Sequence, residues 1–250
     1  MCLLTFSWNQ HPEYKLIMVA NRDEYFNRPT KGLHQWDNGI YAGKDLKGGG
    51  TWLGFHTNGK FAALTNYRDP QNDKPLSKTR GELVTNFLNG SQSPKDYLKQ
   101  IEEKKKDYNG FNLLVAEKKE LLVFSNYGGG VQQVPPGIHG LSNAFLNTPW
   151  PKVEAAKADL KKLLEHKSPK LDDLLTLLQS KEKAPIELLP DTGIPMDLEQ
   201  TISSQFIRVE DYYGTVNTTA LRWGHDGTVS IKEVRTIPEK EVNESTFVSW

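Results

Sequence analysis

The sequence of 250 residues holds a single cysteine, Cys2, and no excess of charge, since 31 Lys and Arg stand against 31 Asp and Glu. One thiol cannot close an internal disulfide, so packing and hydrogen bonds must hold the fold, as suits a reducing, cytoplasmic setting. Without a basic excess the chain lacks the electrostatic footprint of a nucleic-acid or anionic-membrane binder. Its densest lysine run, Glu102-Glu103-Lys104-Lys105-Lys106, is interleaved with carboxylates and reads as a solvated helix face. No apolar stretch is long enough to span a bilayer. The first, Cys2 to Trp8, is broken by Thr5 and Ser7 and lacks the basic start of a signal peptide, so neither stable membrane insertion nor a targeting segment is expected. The 6 histidines, at 11, 34, 56, 139, 166 and 225, show no metal-site spacing, and no metal is expected. Gly48-Gly49-Gly50 lacks the lysine and hydroxyl of a phosphate loop and precedes a strand, so it reads as a turn that lets Trp52 pack beside a site. Gly128-Gly129-Gly130 reads as a flexible turn.

What the chain does have is hairpins. Leu3–Phe6 and Lys15–Ala20 read as strands about Asn9-Gln10-His11-Pro12. Thr51–Phe55 and Lys60–Thr65 flank Thr57-Asn58-Gly59, whose Asn-Gly pair is a strong two-residue turn signal. Phe111–Ala116 pairs with Leu121–Ser125, and Val216–Trp223 with Thr228–Val234 about His225-Asp226-Gly227. Helical periodicity appears at Arg80–Leu88, at Pro94–Lys106 behind the capping Ser93, at Pro151–His166 and at Lys170–Gln179. Each helix carries one apolar stripe and a lysine-rich outer face, which predicts antiparallel sheets with helices outside, in one domain over 1–250. The proline-rich stretch Pro185–Pro195 reads as a linker or lid.

The chemistry concentrates at the amino end. A methionine before a residue as small as cysteine is normally removed, which would give Cys2 a free α-amine. With a pKa of about 7.7–8.0 such an amine can take the thiol proton, so nucleophile and base belong to one residue. Arg22 is the cation nearest in the pattern to steady a thiolate, and Asp23 or Glu24 could hold the ammonium. The first hairpin returns residues 21–23 to the end of the sheet where Cys2 starts. The plainer reading is a buried structural cysteine beside a solvated turn.

Asn21-Arg22-Asp23-Glu24, shortly after Met1-Cys2, resembles the motif that names the NRDE family, also called the transport and Golgi organisation protein 2 family. Further matches follow in order: Gly49-Gly50-Thr51-Trp52-Leu53-Gly54, Thr65-Asn66-Tyr67-Arg68, Arg80-Gly81, Tyr108 to Asn112, Gly140-Leu141-Ser142-Asn143, Asp191 to Pro195, Ser203-Ser204, Phe206-Ile207 and Tyr213-Gly214-Thr215. The resemblance implies an α+β, N-terminal-nucleophile hydrolase-like fold: a four-layer αββα sandwich of two antiparallel sheets between helical layers. It also implies a pocket whose catalytic residues are Cys2, Arg22, Asp23 and Asn143. There Asn143 binds the oxyanion, Asn66 is a second candidate for that role, and Asn21, Glu24, Trp52, Asn66 and Arg68 line the pocket. One departure stands out: where the family usually follows Tyr-Gly-Thr with arginine, this chain has Val216, which removes one source of thiolate stabilisation.

Two functions follow as expectations. One is a cysteine N-terminal-nucleophile hydrolase or acyltransferase acting on a small amide or thioester, without a cofactor. The other is a non-catalytic carrier of haem or of a lipid or acyl-CoA ligand, with Cys2, His34 or His139 as the candidate haem ligand.

Overall fold

The computed structural model describes residues 2–75, 77–166 and 168–249. The chain opens with β1 (Cys2–Trp8), β2 (Tyr14–Tyr25), β3 (Thr30–Gln35), β4 (Ile40–Asp45), β5 (Leu53–His56) and β6 (Lys60–Asn66). Two helices, α1 (Gly81–Asn89) and α2 (Pro94–Glu103), precede β7 (Phe111–Glu117), β8 (Glu120–Ser125), β9 (Gly128–Gln133) and β10 (Gly137–Leu141). Then come α3 (Pro151–His166), α4 (Leu171–Leu175), α5 (Met196–Thr201), β11 (Arg208–Val209), β12 (Tyr213–Gly224), β13 (Thr228–Arg235) and β14 (Glu241–Val248).

Among the described residues these strands make two seven-stranded sheets. The first runs β10-β1-β2-β12-β13-β14, with β11 paired to β12. The second is a meander, β3-β4-β5-β6-β7-β8-β9. Every pairing is antiparallel.

The two-residue period of a strand sorts the side chains between layers. In β1 and β2, Leu4, Phe6, Trp8, Leu16 and Met18 point inward and meet Phe55, Phe61, Ala63 and Leu114 of the second sheet. The alternate residues Leu3, Ile17 and Val19 point outward under α3 and α4. The second sheet repeats the scheme, with Ala62, Leu64, Leu113 and Val115 under α1 and α2. Because both faces of both sheets are covered, the strands read as nearly continuous apolar runs, and the result is the four-layer αββα sandwich. Each large side chain so buried contributes about 1.5–3 kcal/mol.

The four hairpins expected from the sequence all form. Gly59, at φ 84°, takes the left-handed conformation that the turn after Asn58 requires. Several boundaries differ. The second helix stops at Glu103 and continues as a single tight turn over Lys105–Asp107, and α4 ends at Leu175, short of Gln179. Gly128-Gly129-Gly130 is not a flexible turn but the start of the edge strand β9, where one free side lets glycine backbone pair. The stretch Pro185–Pro195 makes one short turn at Ile186–Leu188 and leads into α5.

Candidate functional site

Cys2 sits at the first position of β1, directly opposite Arg22 in the register with β2. Both line a cleft of about 710 Å³ at the end of the two sheets, which also takes Lys44 and Asp45 from β4 and Asn66 from β6. Cys2 is 7% exposed. Burial pushes its thiol up; the Arg22 guanidinium and hydrogen bonding from the Asp23 backbone act in the opposite sense. Arg22 is itself buried and donates to Glu24 Oε2 at 3.3 Å. Glu24 reaches Arg28 at 3.6 Å, and Arg28 clasps Asp45 through Nε and Nη2 at 3.0 and 2.6 Å. Alternating charge therefore runs along the cleft wall from the cysteine outward.

Asp23 lies one residue further, on the opposite pleat, yet still reaches the cleft because β1 ends beside it. The Thr215 hydroxyl donates to Asp23 Oδ1 at 2.7 Å and accepts from the Ile207 amide at 2.9 Å. Burial pushes the Asp23 carboxyl up, offset by Lys152, by that hydrogen bond and by Arg68. Near it Tyr213 donates to the Asp23 carbonyl at 3.4 Å, and burial drives its phenol well above the usual value.

The two asparagines meet on the other wall. Asn143 Nδ2 donates to the Asn66 carbonyl at 2.8 Å, while Asn143 Oδ1 accepts from Ser142, whose hydroxyl also bonds the Cys2 carbonyl at 3.0 Å. Ser142 thus ties the Asn143 segment to the cysteine's own backbone. Among the described residues the Asn66 side-chain amide makes no hydrogen bond, although it lines the cleft. Arg68 takes its backbone position from the Asn143 carbonyl at 2.8 Å, stacks 4.8 Å from the Trp150 ring and pairs with Glu199 of α5, both side chains under a tenth exposed.

Of the residues expected at the site, Cys2, Arg22, Asp23, Glu24, Trp52, Asn66, Arg68 and Asn143 line this one cleft. Asn21 does not. It faces the helical layer with Leu3, and its amide donates to the carbonyls of Leu178 and Gln205 at 2.8 and 2.9 Å while accepting from Thr218 at 2.6 Å. A pocket role for Asn21 is therefore corrected to a structural one: paired with Leu3, one step further into the sheet than Cys2, its side chain turns to the helical layer. Removal of Met1 concerns a residue outside those described. Val216, buried at the bulge where β12 slips one residue against β2, does not line the cleft; its neighbour Asn217 does.

His34 and His139 also lie off the cleft. His34 Nδ1 bonds the Gly32 carbonyl at 2.7 Å, and His139 has both ring nitrogens engaged, with Pro135 O at 2.9 Å and Asn147 at 3.0 Å. Among the described residues no group of three or more His, Cys, Asp or Glu is arranged to hold a metal ion. Likewise no described helix is long and apolar enough to cross a membrane.

The sequence reading missed several charged groups. Lys152, in the first turn of α3, belongs by pattern to a solvated lysine face. Instead it is fully enclosed, donates to the Ile202 carbonyl at 3.0 Å, and is pulled down to about 8 by burial and by Arg68, with Asp23, Glu199 and Cys2 acting in the opposite sense. Glu233 of β13 is buried too. It accepts from the Leu33 amide of the second sheet at 2.8 Å and from Asn217 at 3.0 Å, and burial pushes its carboxyl up. Arg80, immediately before α1, lines the cleft beside Thr79 and Gly81. It is placed by the close approach of Gly50 to Gly81, where a Cβ on Gly50 would stand 2.5 Å from the Gly81 carbonyl carbon. Only the ordered Arg80-Gly81 match signalled any of these in advance.

Comparison with known proteins bears on this geometry. The chain is 36% identical over 271 residues to the human Transport and Golgi organization protein 2 homolog, covering 97% of this chain and 95% of the human protein. The mouse homolog is 35% identical over 269 residues, at 97% and 95% coverage. Among solved structures, a Caenorhabditis elegans ortholog of N-acylethanolamine-hydrolyzing acid amidase superposes with a TM-score of 0.51 at 12% identity, over 88% of this chain and 92% of that one. At that identity the likeness is one of fold alone, the four-layer sandwich of two antiparallel sheets between helices. A family model described as Transport and Golgi organisation 2 matches residues 1–238, and with such relatives over nearly its whole length the chain belongs to the Transport and Golgi organisation 2 family.

Proposed function

We propose that the chain is a cysteine N-terminal-nucleophile hydrolase or acyltransferase acting on a small amide or thioester. The observation that carries this reading is the convergence on one cleft of Cys2, its register partner Arg22, the buried Asp23 and the two asparagines. With Met1 removed, the Cys2 amine takes the thiol proton and Sγ bonds to the substrate carbonyl carbon. The carbonyl π electrons move to oxygen, where the unengaged Asn66 amide and the remaining N–H of Asn143 donate. Collapse of the adduct breaks the C–N or C–S bond, the leaving group takes the proton, and water or another acceptor releases the acyl group. Asp23 holds the ammonium, and Arg22 supplies positive charge at the sulfur without the arginine that Val216 replaces. Amides rank first for screening, because the solved structure of like fold is named an amidase.

The expected result is that Cys2→Ala abolishes turnover of acyl amides and thioesters while the melting temperature stays close to the parent. Unchanged turnover by the pure variant would sink the mechanism.

One observation favours a second reading: burial that raises the Cys2 thiol suits a protonated, unreactive cysteine in a protein that carries its ligand. A haem or lipid-like ligand would then occupy the same cleft, where Cys2 alone of the three candidate haem ligands is found. Titration with haem should give a shifted visible band; a spectrum that stays that of free haem removes the haem form of this reading.

A further inference from the structure

The chain as a whole is neutral, but the cleft is not, for eight basic side chains line it against five acidic ones. Of its four arginines, three are paired with carboxylates: Arg22 with Glu24, Arg28 with Asp45 and Arg68 with Glu199. The fourth, Arg80, has no carboxylate at ion-pair distance among the described residues. Arg80 Nη1 donates to the Gly110 carbonyl at 2.8 Å, and among the described residues the rest of the guanidinium has no further partner. It is half-buried, and it feels the charge of Asp73, Cys2 and Glu24 only from beyond contact. A guanidinium that faces a cleft without a carboxylate partner is open to an incoming anion, and its fork matches a carboxylate or phosphate better than any other group. The same cleft takes Ile194, Leu198 and Ile202 from α5 and the segments flanking it, an apolar wall for an acyl chain.

We propose that Arg80 is a specificity-determining residue that binds an oxyanionic head group, carboxylate or phosphate, of an amphipathic acyl substrate. The inference rests on the reading that the Cys2 cleft is the substrate site.

The test is binding without chemistry. Titration calorimetry on the full chain carrying Cys2→Ala compares N-octanoylglycine, N-octanoyl-O-phosphoethanolamine and the uncharged N-octanoylethanolamine. At least one anionic probe should bind tenfold or more tightly than the neutral one, and which anion gains distinguishes carboxylate from phosphate recognition. Adding Arg80→Gln should cut that preference below twofold, whereas Arg80→Lys, which keeps the charge and controls for folding, should retain part of it. Equal affinities in the parent, an unchanged preference in Arg80→Gln, or no binding of any probe would each overturn the assignment. Because no bond is made, these outcomes are independent of Cys2 reactivity. A wild-type protein that binds an anionic probe and leaves it intact refutes the nucleophile and keeps the anion site.

Discussion

Replacing Asn21 with alanine separates architecture from chemistry within the Asn-Arg-Asp-Glu motif. Its amide caps two main-chain carbonyls, Leu178 O and Gln205 O, that tie the segments after α4 and α5 to the outer face of β2. Asn21 is fully buried, so alanine leaves both carbonyls without a donor and no water to replace it. The Thr218 hydroxyl also loses its acceptor, Asn21 Oδ1, and Gln179, which donates to that hydroxyl at 3.3 Å, does not supply another. Counting the two carbonyls at roughly 1–2 kcal/mol each gives a loss of about 2–4 kcal/mol. For a chain of this size that corresponds to a fall in melting temperature of about 5–15 °C. Calorimetric or fluorescence melting measures it directly. In parallel, the rate of Cys2 alkylation by iodoacetamide at 25 °C, well below the transition, should stay within about twofold of the parent, because Asn21 faces away from the thiol. A variant that melts with the wild type but loses thiol reactivity would refute the reasoning and return Asn21 to the pocket.

Lys152→Met should raise the pH midpoint of Cys2 alkylation, since the buried ammonium and a thiolate attract one another; an unmoved midpoint would place Lys152 outside the site's electrostatics. The variant should also lose a rise in stability between pH 8 and 10: a lysine depressed to about 8 in the fold binds fewer protons there than in the unfolded chain, so the wild type gains stability as pH climbs through that window. Glu233 carries the opposite sign. Its folded carboxyl is raised above the ordinary 4.5, so the folded state binds more protons and stability falls as pH rises above that value. Urea unfolding of Glu233→Gln against wild type should show the difference shifting in favour of the variant as pH rises from 4.5 to 7, and a pH-independent difference would contradict the buried, raised carboxylate.

The inner core was legible because its signals are local. Asn58-Gly59 and Asp226-Gly227 announce hairpins through the conformations their turns need, and the apolar runs Lys15–Ala20 and Phe111–Ala116 match strands covered on both faces. The edge strands were not. β14 alternates half-buried with exposed residues, while β3 and β9 are short and carry glycine or polar side chains, so nothing in their composition demands a sheet. They form because a neighbouring strand offers unpaired backbone groups.

For the site, sequence alone determined that the first hairpin returns residues 21–23 to the end of the sheet where Cys2 starts; the register that sets Cys2 opposite Arg22 was decided by the structure, because a slip of one residue would have swapped the faces. It also marked Asn66, Arg68 and Asn143 through resemblance. Only the tertiary structure decided that Asn21 turns away, that Lys152 is enclosed and that Arg80 reaches the same cleft with no carboxylate at ion-pair distance among the described residues. The physical reason is separation along the chain. That a hairpin forms is a local property, whereas the charge around Cys2 comes from the segment after β6, from α3, from α5 and from the start of α1, elements brought together only when four layers pack.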